Sequence, residues 1–132
     1  MTLWVRAQVR ARIGAAVGVG MTLVLGLGVR AFLEGAFAKY AGDAFYTTLV
    51  FFLVVLAVPR VRPITAALVA IGFSWAVEFA QLTPWPAELS AKSTLFRLVL
   101  GSTFNPPDLV AYVAGAVLAL AVWRWTDRLH QN

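Results

Sequence analysis

The sequence predicts an all-α integral membrane protein, a bundle of four transmembrane helices with a short interfacial helix between the third and the fourth. Apolar residues make up 61% of the 132 residues and charged residues only 13%, about half the charged share of an average soluble domain. Four long apolar stretches, residues 13–29, 44–58, 64–82 and 109–123, contain no Lys or Arg and do not alternate with period two, as strands would. Helices are therefore predicted, since open strands cannot satisfy their backbone polar groups in lipid.

The four predicted spans follow one another in a single domain. Their bounds are residues 13–30, 43–59, 64–82 and 108–125. A bilayer core of about 30 Å takes about 20 helical residues, which the first and third apolar stretches come close to providing. The shorter second and fourth stretches recruit flanking residues, which brings Asp43 and Asp108 to the membrane edge. Breakers that separate the spans are Gly42, Pro59, Pro63, Pro84, Pro86, Pro106 and Pro107.

The long connection after the third span contains the interfacial segment, residues 89–101. Apolar residues there accompany Lys92, Ser93 and Arg97, which is typical of a short helix lying in the membrane surface. A rival interpretation of the amino-terminal span is a secretory signal cleaved after Ala36-Phe37-Ala38. Arg30 and Glu34 interrupt the approach to that cleavage site, which disfavours cleavage.

The distribution of basic residues predicts the orientation of the chain. The amino end, the loop between the second and third spans and the carboxyl tail carry seven arginines, against four basic residues on the other side. Because basic residues concentrate on the cytoplasmic side, we expect both termini in the cytoplasm. The predicted location is the bacterial inner (plasma) membrane, which the chain crosses several times.

Polar residues converge at one predicted depth near the outer face. Glu78 lies about 21 Å along a helix that must cross about 30 Å, so it should be protonated, paired or turned toward a watery cavity. Arg97 is the predicted counter-ion, and Arg beside carboxylates can hold a phosphate or another anionic headgroup. The candidate binding residues are Arg30, Asp43, Tyr46, Glu78, Gln81, Arg97, Asp108 and Tyr112.

Several of these features also have structural explanations. Asp43 and Asp108 follow Gly42 and Pro107, so each can be a helix cap, and Glu78 can form a purely structural pair with an arginine. Two stripes of small residues either pack within one bundle or form an interface in a homo-oligomer or larger complex. The stripes consist of Gly14, Gly18, Thr22 and Gly26 in the first span and of Ala111, Gly115 and Ala119 in the last.

Other function classes find little support in the sequence. Cysteine is absent, the predicted spans contain no histidine, and no phosphate-loop or zinc-helix motif occurs. No catalytic residue, metal ligand or cofactor is therefore predicted, although three carboxylates could bind a divalent cation if they converged. The basic residues are scattered with few aromatic residues among them, so no nucleic-acid partner is expected. The expected partners are membrane lipids and a lipid-linked or amphiphilic ligand.

A set of residues spread from about Arg30 onward carries a family resemblance. It comprises Gly42-Asp43 with Tyr46, Glu78-Phe79 with Gln81, Arg97, Leu100-Gly101-Ser102-Thr103-Phe104, and Asp108-Leu109 with Ala111-Tyr112 and Gly115. In these residues the chain resembles a bacterial family of small membrane proteins, domain of unknown function 2809. The resemblance implies a four-helix membrane protein with these polar positions near one site. Asn105 departs from the family pattern, in which an acid is common there, and this weakens a metal site.

A more distant resemblance and the function hypotheses complete the interpretation. The acid-x-x-Gln element from Glu78 to Gln81, with Arg97 and Asp108 after it, resembles the VanZ-like family, whose founding association is with glycopeptide tolerance. We expect a non-enzymatic protein whose outward-facing pocket binds an amphiphilic or lipid-linked anionic envelope molecule. One alternative is an enzyme acting on a lipid-linked phosphate or saccharide, with Glu78 or Asp108 as base and Arg97 on the anion. Another is an accessory subunit of a transporter or envelope complex.

Overall fold

The computed structural model describes residues 2–100 and 105–131, and the regular structure within these ranges is helical. The helices are α1 (Leu3–Phe32), α2 (Gly35–Ala57), α3 (Pro63–Ala80), α4 (Trp85–Lys92), α5 (Thr94–Leu100) and α6 (Pro107–Gln131). Four of them, α1, α2, α3 and α6, are long and apolar enough to cross a membrane. The predicted fold class is therefore confirmed. Residues 101–104, which belong to the family block and to the end of the predicted interfacial helix, lie outside the described ranges.

Helix α1 is longer than the predicted first span. It begins at Leu3 rather than at residue 13, and the side-chain oxygen of Thr2 caps it by accepting a hydrogen bond from the Val5 N–H at 3.2 Å. Its 30 residues extend about 45 Å, so the helix projects beyond a membrane core of about 30 Å. The projecting turns carry the arginines near the amino end.

Helix α2 also begins earlier than predicted, at Gly35 instead of residue 43. Leu33 and Glu34 alone join it to α1, and Gly35 has a φ of 88°, a left-handed conformation that glycine adopts without steric cost. Asp43 consequently lies inside α2, so its interpretation as a helix cap is wrong. Asp108 does lie in the first turn of α6, where its charge complements the helix dipole.

In its described residues, 81–100 and 105–106, the segment between α3 and α6 contains two short helices, where a single interfacial helix was predicted. The break falls at Ser93, whose side-chain oxygen accepts a hydrogen bond from the Leu95 N–H at 3.2 Å. The Ser93 carbonyl accepts another from the Arg97 N–H at 3.1 Å. Ser93 therefore starts α5 as its N-cap, which explains why one continuous helix was the wrong prediction.

Helix α2 is central, because it packs against α1, α3 and α6. The half of the bundle that contains the start of α1, the α2–α3 loop and the end of α6 is called the arginine-rich end, and the opposite half the cavity end. An apolar core fills the arginine-rich half. The rings of Phe51, Phe52 and Trp123 lie 5.3 to 6.3 Å apart there. The buried core residues are Ala15, Phe51, Phe52, Val55, Ala66, Ala67, Ala70, Ala116 and Ala119.

Both stripes of small residues face helices of the same chain. A Cβ atom at Gly18 would lie 2.6 to 2.8 Å from ring atoms of Phe52, and one at Gly115 would overlap the backbone of Ala44. The Thr48 hydroxyl donates a hydrogen bond to the Gly115 carbonyl at 2.8 Å and so joins α2 to α6 at this crossing. Gly18 and Gly115 therefore serve close packing of helices within one bundle.

Candidate ligand-binding cavity

A cavity of about 630 Å³ opens among the helices at the cavity end. The end of α1, the first half of α2, the end of α3 and the start of α6 form its walls, and α5 lies against it. All eight candidate residues from the sequence line this one cavity: Arg30, Asp43, Tyr46, Glu78, Gln81, Arg97, Asp108 and Tyr112. Five separate helices, α1, α2, α3, α5 and α6, thus bring these residues to one place in the fold. Ligand binding by them stays a prediction.

Glu78 is fully buried and links α3 to the start of α6. One carboxylate oxygen accepts a hydrogen bond from the Tyr112 hydroxyl at 2.8 Å, and the other accepts one from the backbone N–H of Asn105 at 2.6 Å. Two donors offset much of the cost of removing a carboxylate from water. The donors are a phenol and a backbone amide, where the sequence predicted Arg97. The Arg97 guanidinium instead donates to the Ser90 carbonyl, at 3.5 Å.

A buried hydroxyl pair lies one helical turn from Glu78, on the side of the apolar core. Ser74 of α3 and Thr47 of α2 are both 0% exposed, and their side-chain oxygens are 2.8 Å apart. Phe51 follows Thr47 one turn farther along α2, and Ala70 precedes Ser74 by one turn of α3. Polar side chains therefore give way to the apolar core at the level of Thr47 and Ser74.

An ion pair connects α2 to α6 beside the cavity. The Lys39 ammonium lies 3.1 Å from the Asp108 carboxylate, and it is the single ion pair within the described ranges. The Asp108 side chain is 7% exposed and the Lys39 side chain 47%. Sequence reasoning missed Lys39 because it assigned residues 31–42 to a loop. The signal was present, since residues 36–41 contain neither Gly nor Pro and can extend a helix toward α1.

Asp43 of α2 lines the same cavity as Asp108. Its Oδ2 atom is buried and has no hydrogen-bond partner among the residues that the structure describes. Asp43 follows Lys39 by four residues in α2, so it shares a helix face with the lysine that pairs with Asp108. Across the described part of the chain, no three acidic or histidine side chains are arranged to hold a metal ion.

The remaining walls combine arginines with apolar side chains. Arg30 at the end of α1 and Arg97 on α5 line the cavity, and neither forms an ion pair with a described residue. The apolar part of the lining includes Leu23, Leu27, Leu33, Phe45, Leu49, Leu95 and Leu98. The cavity thus presents two arginines available for an anion, together with an apolar surface and a pair of carboxyl groups.

Helix α5 is held against the cavity by a hydrogen bond from α2. The Tyr46 hydroxyl donates to the Val99 carbonyl at 2.8 Å, and Val99 lines the cavity beside Arg97. A second tie between helices lies nearby, where the Trp75 indole N–H donates to the Leu109 carbonyl at 3.1 Å. Tyr46 therefore positions the segment that carries Arg97.

Four apolar helices around a terminal cavity of charged and apolar side chains define a polytopic membrane protein with a candidate ligand-binding site. The family described as protein of unknown function (DUF2809) matches residues 32–116, more than half of the chain. The chain belongs to this family, which confirms the resemblance seen in its sequence. The matched region contains every candidate residue except Arg30. No curated protein and no solved structure matches the chain.

Proposed function

We propose that this protein binds an amphiphilic or lipid-linked envelope molecule with an anionic headgroup in the cavity at the cavity end. The observation that carries the proposal is the composition of the cavity lining. Apolar side chains from α1, α2 and α5 form one part of it, and Arg30 and Arg97 form another. An acyl or prenyl chain would lie along the apolar part. The guanidinium groups of Arg30 and Arg97 would donate hydrogen bonds to a phosphate, for which their planar geometry is suited.

We further propose that the cavity faces away from the cytoplasm of a bacterial inner membrane, with both termini inside. The support is the charge of the arginine-rich end, where the basic residues of the start of α1, of the α2–α3 loop and of the end of α6 lie together. Basic residues of this kind are retained on the cytoplasmic side during insertion. In this orientation the ligand would enter from the outer leaflet or from the outer surface.

The contacts of the carboxylates favour binding over catalysis. A general base must reach a proton of the substrate, but both oxygens of Glu78 already accept hydrogen bonds and Asp108 is paired with Lys39. An enzyme acting on a lipid-linked phosphate or saccharide therefore has the weaker support. The accessory-subunit hypothesis draws less support from the small-residue stripes, because Gly18 and Gly115 contact helices of the same chain. The VanZ-like resemblance stays a prediction.

Native mass spectrometry of protein extracted in mild detergent tests the proposal. We expect wild-type protein to retain a phosphate-bearing amphiphile. Arg97→Gln and Arg30→Gln should each lower the bound fraction about tenfold, because each loses charge-assisted hydrogen bonds to the phosphate. The matched control is Arg128→Gln, which changes an exposed arginine at the arginine-rich end. Equal retention by the three variants would refute a headgroup site at Arg30 and Arg97.

A further inference from the structure

The cavity lies in a gap between two membrane-spanning helices. Helix α1 packs against α2, and α3 packs against α2 and α6. The helices α1 and α3 are described along their whole lengths, and they share α2 as a neighbour without packing against each other. Residues of both line the cavity, such as Leu27 of α1 and Val77 of α3. Because both helices are long and apolar enough to cross a membrane, the gap between them faces the lipid around the bundle.

One face of α1 forms a long wall of this gap. Its lining residues Leu23, Leu27 and Arg30 are spaced by four and then three positions, so they lie above one another on the helix. Arg30 is near the end of α1, and Leu27 and Leu23 lie about 4.5 Å and about 10.5 Å deeper along the helix axis. Leu23 is 43% exposed and Leu27 53%, although both line the cavity. This wall is therefore open to the surroundings of the protein.

The wall formed by α2 has the same order of side chains. Lys39 and Asp43 line the cavity near the start of α2, and Phe45 and Leu49 line it farther along the helix. From Asp43 to Leu49 the helix advances about 9 Å toward the apolar core. Both walls therefore change from charged to apolar in the same direction, from the membrane surface toward the middle of the membrane. The headgroup and the chain of a lipid in the leaflet at the cavity end follow one another in this order too.

We infer that the ligand is a lipid of that leaflet, which enters sideways between α1 and α3 and keeps its hydrocarbon chain in the gap. Such a lipid already has its headgroup at the surface, so it reaches the cavity without turning over. Its chain covers the apolar side chains of the deeper part, which is favourable because it removes them from water. The inference rests on the proposed function, since Arg30 and Arg97 would hold the same headgroup. It adds the route of entry and restricts the ligand to lipids of the membrane.

Variants that narrow the gap test this inference. Delipidated full-length protein is mixed with dipalmitoyl phosphatidylglycerol, and the bound lipid is counted by native mass spectrometry. Leu27→Trp and Leu23→Trp should each lower the bound fraction about tenfold, because the larger side chain occupies the space of the hydrocarbon chain. Leu25→Trp is the matched control and should bind as wild type does. Leu25 is 49% exposed, lies outside the cavity lining and points about 200° around α1 from Leu27.

A competition in wild-type protein separates the chain from the headgroup and does not depend on the folding of any variant. Glycerol 3-phosphate, which has the phosphate without a hydrocarbon chain, is added in large excess to the protein with bound phosphatidylglycerol. We expect the lipid to stay bound. Its displacement would overturn the inference, as would full retention of lipid by Leu27→Trp and Leu23→Trp. The proposed function would survive either result if Arg97→Gln still lowered lipid binding. Failure of wild-type protein to retain phosphatidylglycerol would contradict both.

Discussion

The carboxylate of Glu78 obtains both of its hydrogen bonds from a short stretch of chain, Asn105 just before α6 and Tyr112 within it. An uncompensated charge at this depth costs at least about 2.5 kcal/mol on insertion scales, so these donors matter for stability as well as for the cavity. That Glu78 faces the other helices could be predicted, because an acid within a membrane span avoids lipid. Its donors could not, because they depend on how α3 and α6 are rotated about their axes.

We predict that Tyr112→Phe lowers the free energy of unfolding by about 1 kcal/mol, because the buried carboxylate of Glu78 loses one donor. Reversible unfolding in detergent, followed by circular dichroism, measures the change. Tyr40→Phe is the matched control, since Tyr40 is 36% exposed and its ring is the part that Lys39 approaches. An effect of Tyr112→Phe no larger than that of the control would contradict the role of this hydrogen bond.

Lys39 illustrates a different limit of sequence reasoning. The residue was counted among the basic residues outside the membrane, and the structure places it inside α2, paired with Asp108. Lys39 lies inside α2 because the connection between α1 and α2 is only two residues long, and Gly35 permits this short connection by adopting a positive φ. Hydropathy alone predicted that a helix lies here. It could not predict where α2 starts, because that depends on the conformation of the turn before it.

At the scale of helices, the crossing of α2 and α6 is the tightest contact described above. Gly115 brings its backbone against Ala44, and Thr48 donates to the Gly115 carbonyl at 2.8 Å. The stripe of small residues that contains Gly115 was recognisable in the sequence. Which helix it faces was not, because close approach within one chain and between chains needs the same residue types.

We predict that Gly115→Ala destabilises the protein by about 1–3 kcal/mol, because the added Cβ overlaps backbone atoms that cannot move without separating α2 from α6. Thermal unfolding in detergent measures the effect. Gly72→Ala is the control, since a Cβ built at Gly72 has no atom within 4 Å apart from the local backbone of its own helix, and alanine is the better helix former. If Gly115→Ala were as stable as Gly72→Ala, the described crossing would be incorrect.

At the scale of the whole molecule, the charge is distributed unequally between the two ends. The arginines of the amino end, the α2–α3 loop and the carboxyl tail lie at one end, and the cavity lies at the other. Lys39 lies in α2 and not in a loop, but it is still at the cavity end. The numbers of basic residues at the two ends, from which the orientation was predicted, are therefore unchanged. Orientation could thus be argued from sequence, although the exact helix bounds could not.

Membrane-impermeant maleimide labelling tests the orientation cleanly, because the chain contains no cysteine. We predict that Ala91→Cys, at an exposed position in α4, reacts in intact cells, since α4 lies on the outer side in the proposed orientation. Asp127→Cys, exposed near the end of α6, should react only after lysis. The reverse pattern would place the cavity on the cytoplasmic side.

The side chains change abruptly from polar to apolar on the arginine-rich side of Thr47 and Ser74, and this change closes the cavity on that side. Within the described ranges, a molecule beside Glu78 meets the rings of Phe51, Phe52 and Trp123 if it moves toward the arginine-rich end. Entry and exit therefore both occur at the cavity end. A molecule bound in the cavity would stay bound or pass to another protein on the same side of the membrane. Passage through the protein would require these three rings to move apart.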